Sequence, residues 1–319
     1  MTSDLLHDAS AYGGPGWAPR PSSLAEEAGR IWGTFGQSTE WSDLKTVLMH
    51  RPGPELCTMQ KPDAVLMLDR LDAQKAGVQH DALALAYRQA GIDVVYVDPA
   101  ETRFPNQMFV ADLMFMTPEG AILARPASAV RAGEERWVAR RLSDLGVPIL
   151  KSIRGRGTFE GADAAWINPA TVLLGRGLRT NEEGACQVTT LLQEMKVRVI
   201  RIDLPCGTMH LMGMLRFVDH DFALAWPQRL AHVAVEALRD QGFAVHFIPD
   251  EAEAERGFAL NFVTLGPQKI LMPAGNPVTK SFYENLGITC LTVDVDELAK
   301  AAGAIGCLTG IIAREPAAA

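Results

Sequence analysis

A cysteine set among small residues is the first candidate for chemistry in this chain. Cys307 stands in AAGAIGCLTGIIAR, between Gly306 and Gly310, and an apolar strand pattern follows it. An isolated thiol, with a pKa of ~8.5, is only a few per cent ionised near neutrality, so a nucleophilic cysteine needs a base or a cationic substrate beside it. The chain has seven histidines from which to draw that base. His7, His80, His220 and His232 have polar or irregular neighbours and read as solvated, His246 alternates within a strand pattern, and His50 closes one. His210, in LPCGTMHLMGMLRF, stands at a loop-to-strand junction ahead of an apolar run.

The carboxylates follow the same placement. Asp112 lies inside PNQMFVADLMFM, and Glu160 and Asp163 lie in GTFEGADAAWI. An acid among Phe, Val, Met and Trp is costly to bury unpaired. Two kinds of partner fit. One is a structural ion pair with Arg125 or Arg179. The other is a cationic ligand held between carboxylates, for which a planar guanidinium is the best fork.

These residues must be positioned by a repeat. FVADLMFM and GAILAR read as two short strands, GEERWVARRLSDLG as an amphipathic helix and VPILKS as a strand. The same order recurs from GADAAWI to VRVIRID, from LMGMLRFVD to FAVHFIPD, and from LNFVTLGP to ITCLTVD. A strand–strand–helix–strand unit with a period of roughly 40 residues implies units packed side by side. The last piece, CLTGIIAR, supplies one strand. A strand at Leu44–His50, a helix at about Asp81–Ala90 and a strand at Asp93–Asp98 could complete it and close a ring. Cys307 would then lie at the rim of a central cavity, with Gly306 and Gly310 leaving room for a planar substrate. The competing arrangement is an open, doubly wound sheet of βαβ units. Residues 1–40 read as an irregular extension, a lid or subunit contact with a short helix at Ser23–Trp32. Residues 41–314 form the catalytic domain, and 315–319 a disordered tail. The proline-punctuated loop Arg51–Gln60 is expected to move over the cavity.

Composition bounds the function. The chain has 319 residues, 48% hydrophobic and 21% charged, with a formal net charge of -8. Without a Lys/Arg-rich run, it is not expected to bind nucleic acid or an anionic membrane. No apolar run spans a bilayer and no signal peptide is evident, so the cytoplasm is the expected location. Cys57, Cys186, Cys206, Cys290 and Cys307 are odd in number and lack CxxC spacing, which argues against disulfides and zinc. Most are expected to be buried small hydrophobes.

Taken together, PNQMFVAD, ARPASAVRAGEE, FEGAD, GLRTNEEG, MHLM, MPAGNP and GCLTG, in that order, resemble the amidinotransferase and dimethylarginine dimethylaminohydrolase group of the pentein superfamily. The resemblance runs from about Leu44 to Arg314. It implies an α/β fold, a five-bladed α/β propeller of ββαβ units around a central active-site cavity, and no metal or organic cofactor. By resemblance, Cys307 is the nucleophile, His210 the general acid and base, and Glu160 and Asp112 hold a guanidinium. Arg131 and Arg179 match positions that bind a substrate carboxylate, Asn106 a substrate-contacting position, and Asp163 a supporting one. Met212 stands where relatives acting on free arginine carry an aspartate, which favours a substrate with an N-substituted guanidine. Ala111 and Ala162 are further departures. The implied activity is hydrolysis of a small arginine-like guanidino substrate. The alternatives are amidino transfer to an amine and a non-catalytic propeller module. A homodimer is the default assembly.

Overall fold

Five three-stranded sheets make up the body of the protein in a computed structural model, which describes residues 8–58, 61–100 and 103–317. In chain order the strands are β1 (Leu44–Met49) and β2 (Asp93–Tyr96), then β3 (Met114–Thr117), β4 (Gly120–Leu123) and β5 (Ile149–Ser152). Next come β6 (Ala164–Asn168), β7 (Thr171–Arg176) and β8 (Arg198–Asp203), followed by β9 (Leu215–Asp219), β10 (Phe222–Ala225) and β11 (Ala244–Phe247). The last are β12 (Val263–Gly266), β13 (Lys269–Pro273), β14 (Thr289–Val293) and β15 (Gly310–Arg314).

Each of the four internal blades repeats one pattern. Its first two strands form an antiparallel hairpin, and its third runs parallel to the second. Parallel neighbours need a crossover. Helices Glu135–Asp144, Glu182–Glu194, His232–Asp240 and Pro277–Asn285 supply it. The fifth blade joins the two ends of the ring. β15 pairs antiparallel with β1, Leu44 opposite Arg314 and Leu48 opposite Gly310, while β1 pairs parallel with β2 across helix Ala73–Gln89. The closed five-bladed arrangement thus replaces the open doubly wound sheet.

The innermost strands read as near-continuous apolar runs because they are covered on both faces. β3 and β12 are buried at every residue, whereas the outer β5 is exposed at both ends. Neighbouring blades share cores. Phe115 of β3 stacks on Trp166 of β6, with ring centroids 5.8 Å apart.

The inner strands are entered through tight turns, and these carry the site. Helical turns Val110–Leu113, Gly161–Asp163 and Leu211–Gly213 lead into β3, β6 and β9, and the second touches both the first and the third. A Cβ on Gly161 would lie 2.0 Å from the Met114 carbonyl oxygen and 2.5 Å from that of Ala111, so only glycine lets the first two turns meet.

Several local expectations are corrected. The helix expected at Asp81–Ala90 begins at Ala73, where the Asp72 side chain caps the Gln74 and Lys75 amides. Its first turns lack the apolar signal, and Gly77 stands against the Arg51 guanidinium. The Ser23–Trp32 helix is one turn, Leu24–Glu27, with a Ser23–Glu26 capping box, and Gly29 follows at φ 71°. The head packs along the side of the ring rather than over Cys307. Gly36 bridges to Ala313, Gly33 donates to the Gly146 carbonyl, and Phe35 enters the core around β3. Residues 1–7 and 318–319 of the expected extension and tail lie outside the described residues. At the other end, Glu315 still donates to the Asp43 carbonyl and pairs with Lys45 at 2.8 Å.

Candidate active site

Each blade delivers a polar residue from the segment leading into its innermost strand. These are Asp112 before β3, Glu160 and Asp163 before β6, His210 before β9, Asn261 before β12 and Cys307 before β15. All are buried, and Cys307 is 8% exposed. The ring's symmetry therefore concentrates five blades' worth of functional groups at one end of its axis.

The charges are tightly arranged. His210 Nε2 lies 2.8 Å from Glu160 Oε2, and its Nδ1 lies 3.8 Å from Asp112 Oδ1. Burial opposes a charge on His210, but Asp112, Asp163 and Glu160 outweigh it and raise the imidazole to about 9, so the ring is an imidazolium at neutral pH. Burial likewise opposes ionisation of Glu160, and His210, Arg131 and Arg179 reverse it and hold the carboxylate charged. Asp163 is pushed up to about 6 by burial. It accepts from the Thr180 hydroxyl at 2.6 Å and the Leu211 amide at 3.0 Å, so it fixes the backbone next to His210.

Cys307 has a partner that the sequence reading missed. Asn261 Nδ2 donates to the Cys307 sulfur at 3.0 Å, and Asn261 Oδ1 accepts from the Cys307 amide at 3.1 Å. One side chain thus fixes both the sulfur and its backbone. Burial, with Asp112 nearby, pushes the thiol up to about 11, and Asn261 and Arg216 act in the opposite sense. The signal for Asn261 was the repeat itself, since LNFVTLG opens its unit as VADLMFM opens another. An amide does not titrate, however, and drew no notice.

The two arginines expected at a substrate carboxylate lie beside these acids. Arg131 donates to Asp112 Oδ2 at 2.6 Å and to Glu134 at 2.9 Å, and it lies 3.5 Å from Glu160. Arg179 approaches Glu160 at 3.4 Å, so the ion-pair partner weighed for the carboxylates is present. Arg125 instead donates to the Gly157 carbonyl. Asp112 Oδ1 is buried and accepts no hydrogen bond. Asn106 donates to the Val65 carbonyl at 2.8 Å and so ties down the segment carrying Leu66 and Leu68. That segment borders the cavities at Cys307 and residues 51–58 do not, while residues 59–60 of the expected loop lie outside the described residues.

Two cavities meet at Cys307. A small one, about 20 Å³, is bordered by Asn106, Asp112, Arg131 and Arg179. The larger, about 320 Å³, is bordered by His210, Met212 and apolar neighbours. Among the described residues, Asp112, Glu160 and His210 are the one group whose ligand atoms lie close enough to hold a metal ion, within 4.8 Å of one another. The same oxygens suit a guanidinium.

Other expectations are corrected. His80 is fully buried, because helical spacing places it with Ala76, Leu83, Ala84 and Tyr87, and burial lowers its pKa to about 3. Cys57, Cys186 and Cys206 are exposed and Cys290 is half-buried, so of the five only Cys307 is buried. Gly306 and Gly310 make room for the protein rather than for a substrate. A Cβ on Gly306 would lie 1.8 Å from Arg216 Nη2, and one on Gly310 would lie 2.7 Å from Val110 Cγ1.

Comparison with known proteins places this geometry. A family model described as arginine deiminase matches residues 104–242. The dimethylarginine dimethylaminohydrolase of Pseudomonas aeruginosa is 29% identical over 244 residues, 76% of this chain and 90% of the relative. That of Streptomyces coelicolor is 26% identical, over 83% of this chain and 96% of the relative. The solved Pseudomonas aeruginosa enzyme complexed with citrulline superposes with a TM-score of 0.71 at 26% identity, covering 84% of this chain and 98% of that one. The chain is thus similar to dimethylarginine dimethylaminohydrolases along most of its length and, over residues 104–242, to arginine deiminase. An amidinotransferase of saxitoxin biosynthesis from Microseira wollei shares the fold, with a TM-score of 0.70 at 14% identity. In this chain Asp112, Glu160, His210 and Cys307 are brought in by four different blades. No helix among the described residues is long and apolar enough to cross a membrane.

Proposed function

We propose that the chain hydrolyses the guanidine group of an arginine-like amino acid, with an N-substituted guanidine favoured, to an amine and a citrulline-type product. The observation that carries this reading is the convergence on Cys307 of two buried carboxylates, one with an oxygen still unpartnered, and a cationic histidine. Substrate guanidinium would donate to Asp112 Oδ1 and lie against Glu160, with its central carbon facing the sulfur. Its positive charge favours the thiolate, and the thiol proton leaves to solvent.

The steps then balance. The thiolate attacks the central carbon, forming the C–S bond and a neutral tetrahedral adduct. His210 gives its proton to the departing nitrogen, the C–N bond breaks, and a cationic thiouronium remains. Water adds to that carbon while His210 takes its proton back. Collapse breaks the C–S bond, forms the carbonyl and returns the hydroxyl proton to sulfur. Acid–base help from one such histidine is typically worth roughly 10²–10⁴-fold. Arg131 and Arg179, on the small-cavity side with Asn106, are the groups available to a substrate carboxylate. Asp163 supports His210 through the Leu211 amide.

A cytoplasmic location and a homodimer belong to the same reading. The first is supported by five free thiols, the second only by the frequency of cyclic dimers. No metal or organic cofactor enters any step.

Quenched intact-mass measurement on wild type and Cys307→Ser, with citrulline assayed in parallel, tests the reading. A wild-type-only adduct together with citrulline is expected from an N-substituted arginine. An adduct that only an added amine discharges would instead assign amidino transfer. Neither adduct nor product from any guanidine would refute the enzyme.

A further inference from the structure

A charged residue lies against the backbone just before Cys307, on a strand that is otherwise apolar there. Arg216 belongs to β9, with Leu215 and Phe217 buried on either side of it. Its Nε donates to the Leu260 carbonyl at 3.2 Å, and its guanidinium lies 5.7 Å from the Phe262 ring centroid. A Cβ on Gly306 would lie 1.8 Å from Arg216 Nη2 and 3.1 Å from its Cζ. The same Cβ would lie 2.9 Å from Oδ1 of Asn261, the side chain that holds the sulfur. Arg216 Nη2 is buried and donates no hydrogen bond.

Arg216 borders neither of the cavities that open on Cys307. It borders a third, about 50 Å³, which Gly306, Glu40, Thr309 and Arg314 also line and Cys307 does not. Glu40, the acid of that cavity, accepts from the Trp166 amide at 3.0 Å and from the Gln37 side chain at 3.2 Å. Arg314 donates to the Ser42 carbonyl at 2.7 Å. A buried cation is costly when no contact partner neutralises it, and in a poorly screened interior its field reaches the next group.

We infer that Arg216 is a positioning residue for the nucleophile: its charge, delivered past Gly306, stabilises the Cys307 thiolate, and Glu40 tempers it. The inference takes Cys307 as the nucleophile of the proposed hydrolysis. The other charges near the sulfur do not serve this end. Asp112 and burial both disfavour the thiolate, and Arg216 opposes them. His210 shares the larger cavity, while Arg131 and Arg179 face Asp112, Glu134 and Glu160. Arg216 in turn answers to Glu40 and to Cys307 itself, and the Tyr87 and Tyr283 phenols that also act on it are kept protonated by burial. A substrate cation helps the sulfur only while it is bound. Arg216 is always there.

The test is alkylation of Cys307 by iodoacetamide across pH 7 to 10, resolved from the other cysteines by peptide mass, in wild type, Arg216→Met, Arg216→Lys and Glu40→Gln. Below its pKa a thiol reacts in proportion to its thiolate fraction. Arg216→Met should slow alkylation roughly tenfold near pH 8 and move the profile to higher pH. Arg216→Lys keeps the charge and should restore most of the rate. Glu40→Gln removes the opposing carboxylate and should speed the reaction by roughly threefold. A purely structural role would slow all three variants alike. One profile shared by wild type and Arg216→Met, or no acceleration in Glu40→Gln, would overturn the inference, and the second outcome decides even where Arg216→Met does not fold. Alkylation needs no guanidine, so the two readings separate. Shifted profiles without citrulline from any guanidine would remove the hydrolase and keep the role of Arg216, and citrulline with unshifted profiles would do the reverse.

Discussion

At Cys307 and His210 the imidazole already carries the charge the proposed chemistry needs, and the sulfur does not. The thiol is held neutral by burial, and the imidazole is held charged by three acids. On the proposed mechanism a cationic substrate would correct the first without disturbing the second, coupling activation of Cys307 to occupancy of the site. The charge on His210 also has a pH signature in stability. Folded, it keeps its proton up to about 9, against 6.5 for an ordinary histidine. Between those values the folded chain holds the extra proton, so its stabilising effect is complete below pH 6.5 and lost as pH rises through 9. The difference in unfolding free energy between wild type and His210→Ala should shrink by up to about 3 kcal/mol across that window. A difference that stays constant from pH 6 to 10 would show that the imidazole is not held charged.

At the scale of elements, the turns before the inner strands place the chemistry, and their contact depends on Gly161. An added methyl there would sit 2.0 and 2.5 Å from two backbone carbonyl oxygens, so Gly161→Ala has no flexible neighbour to displace. It should cost about 3 kcal/mol or more in chemical denaturation and lower kcat/KM by separating Asp112 from Glu160. Gly213→Ala, in open space, should cost under ~1 kcal/mol. An equal cost for the two would sink the argument. The repeat was legible because each unit announces itself by two short apolar strands, a helix and a strand. Asp112, Glu160 and His210 were legible because a charged group inside an apolar run is costly without a purpose. Asn261 was not, being uncharged, and neither was the burial of His80, whose sequence neighbours Gln79 and Asp81 are polar. Residues 51–58 do not border the cavities, because prolines mark irregular chain without saying which irregular segment does.

At the scale of the whole molecule, the head is part of the ring's wall. Phe35 is 7% exposed against β3 and Ala313, and Glu40 accepts the Trp166 amide at 3.0 Å. No described head residue borders the cavities at Cys307. Phe35→Ala should therefore cost about 3–5 kcal/mol of stability and leave kcat/KM unchanged. A matching loss of kcat/KM at a temperature where the variant remains folded would mean the head reaches the site after all.

Closure of the first blade by β15 has a consequence for biosynthesis. A ribosome that has delivered the chain only as far as Ala304 has made both carboxylates, the histidine and four complete blades, but neither the nucleophile nor the strand that seals β1. On the proposed mechanism such an unfinished chain would lack its nucleophile, so reactivity would appear only once β15 has emerged and paired with β1.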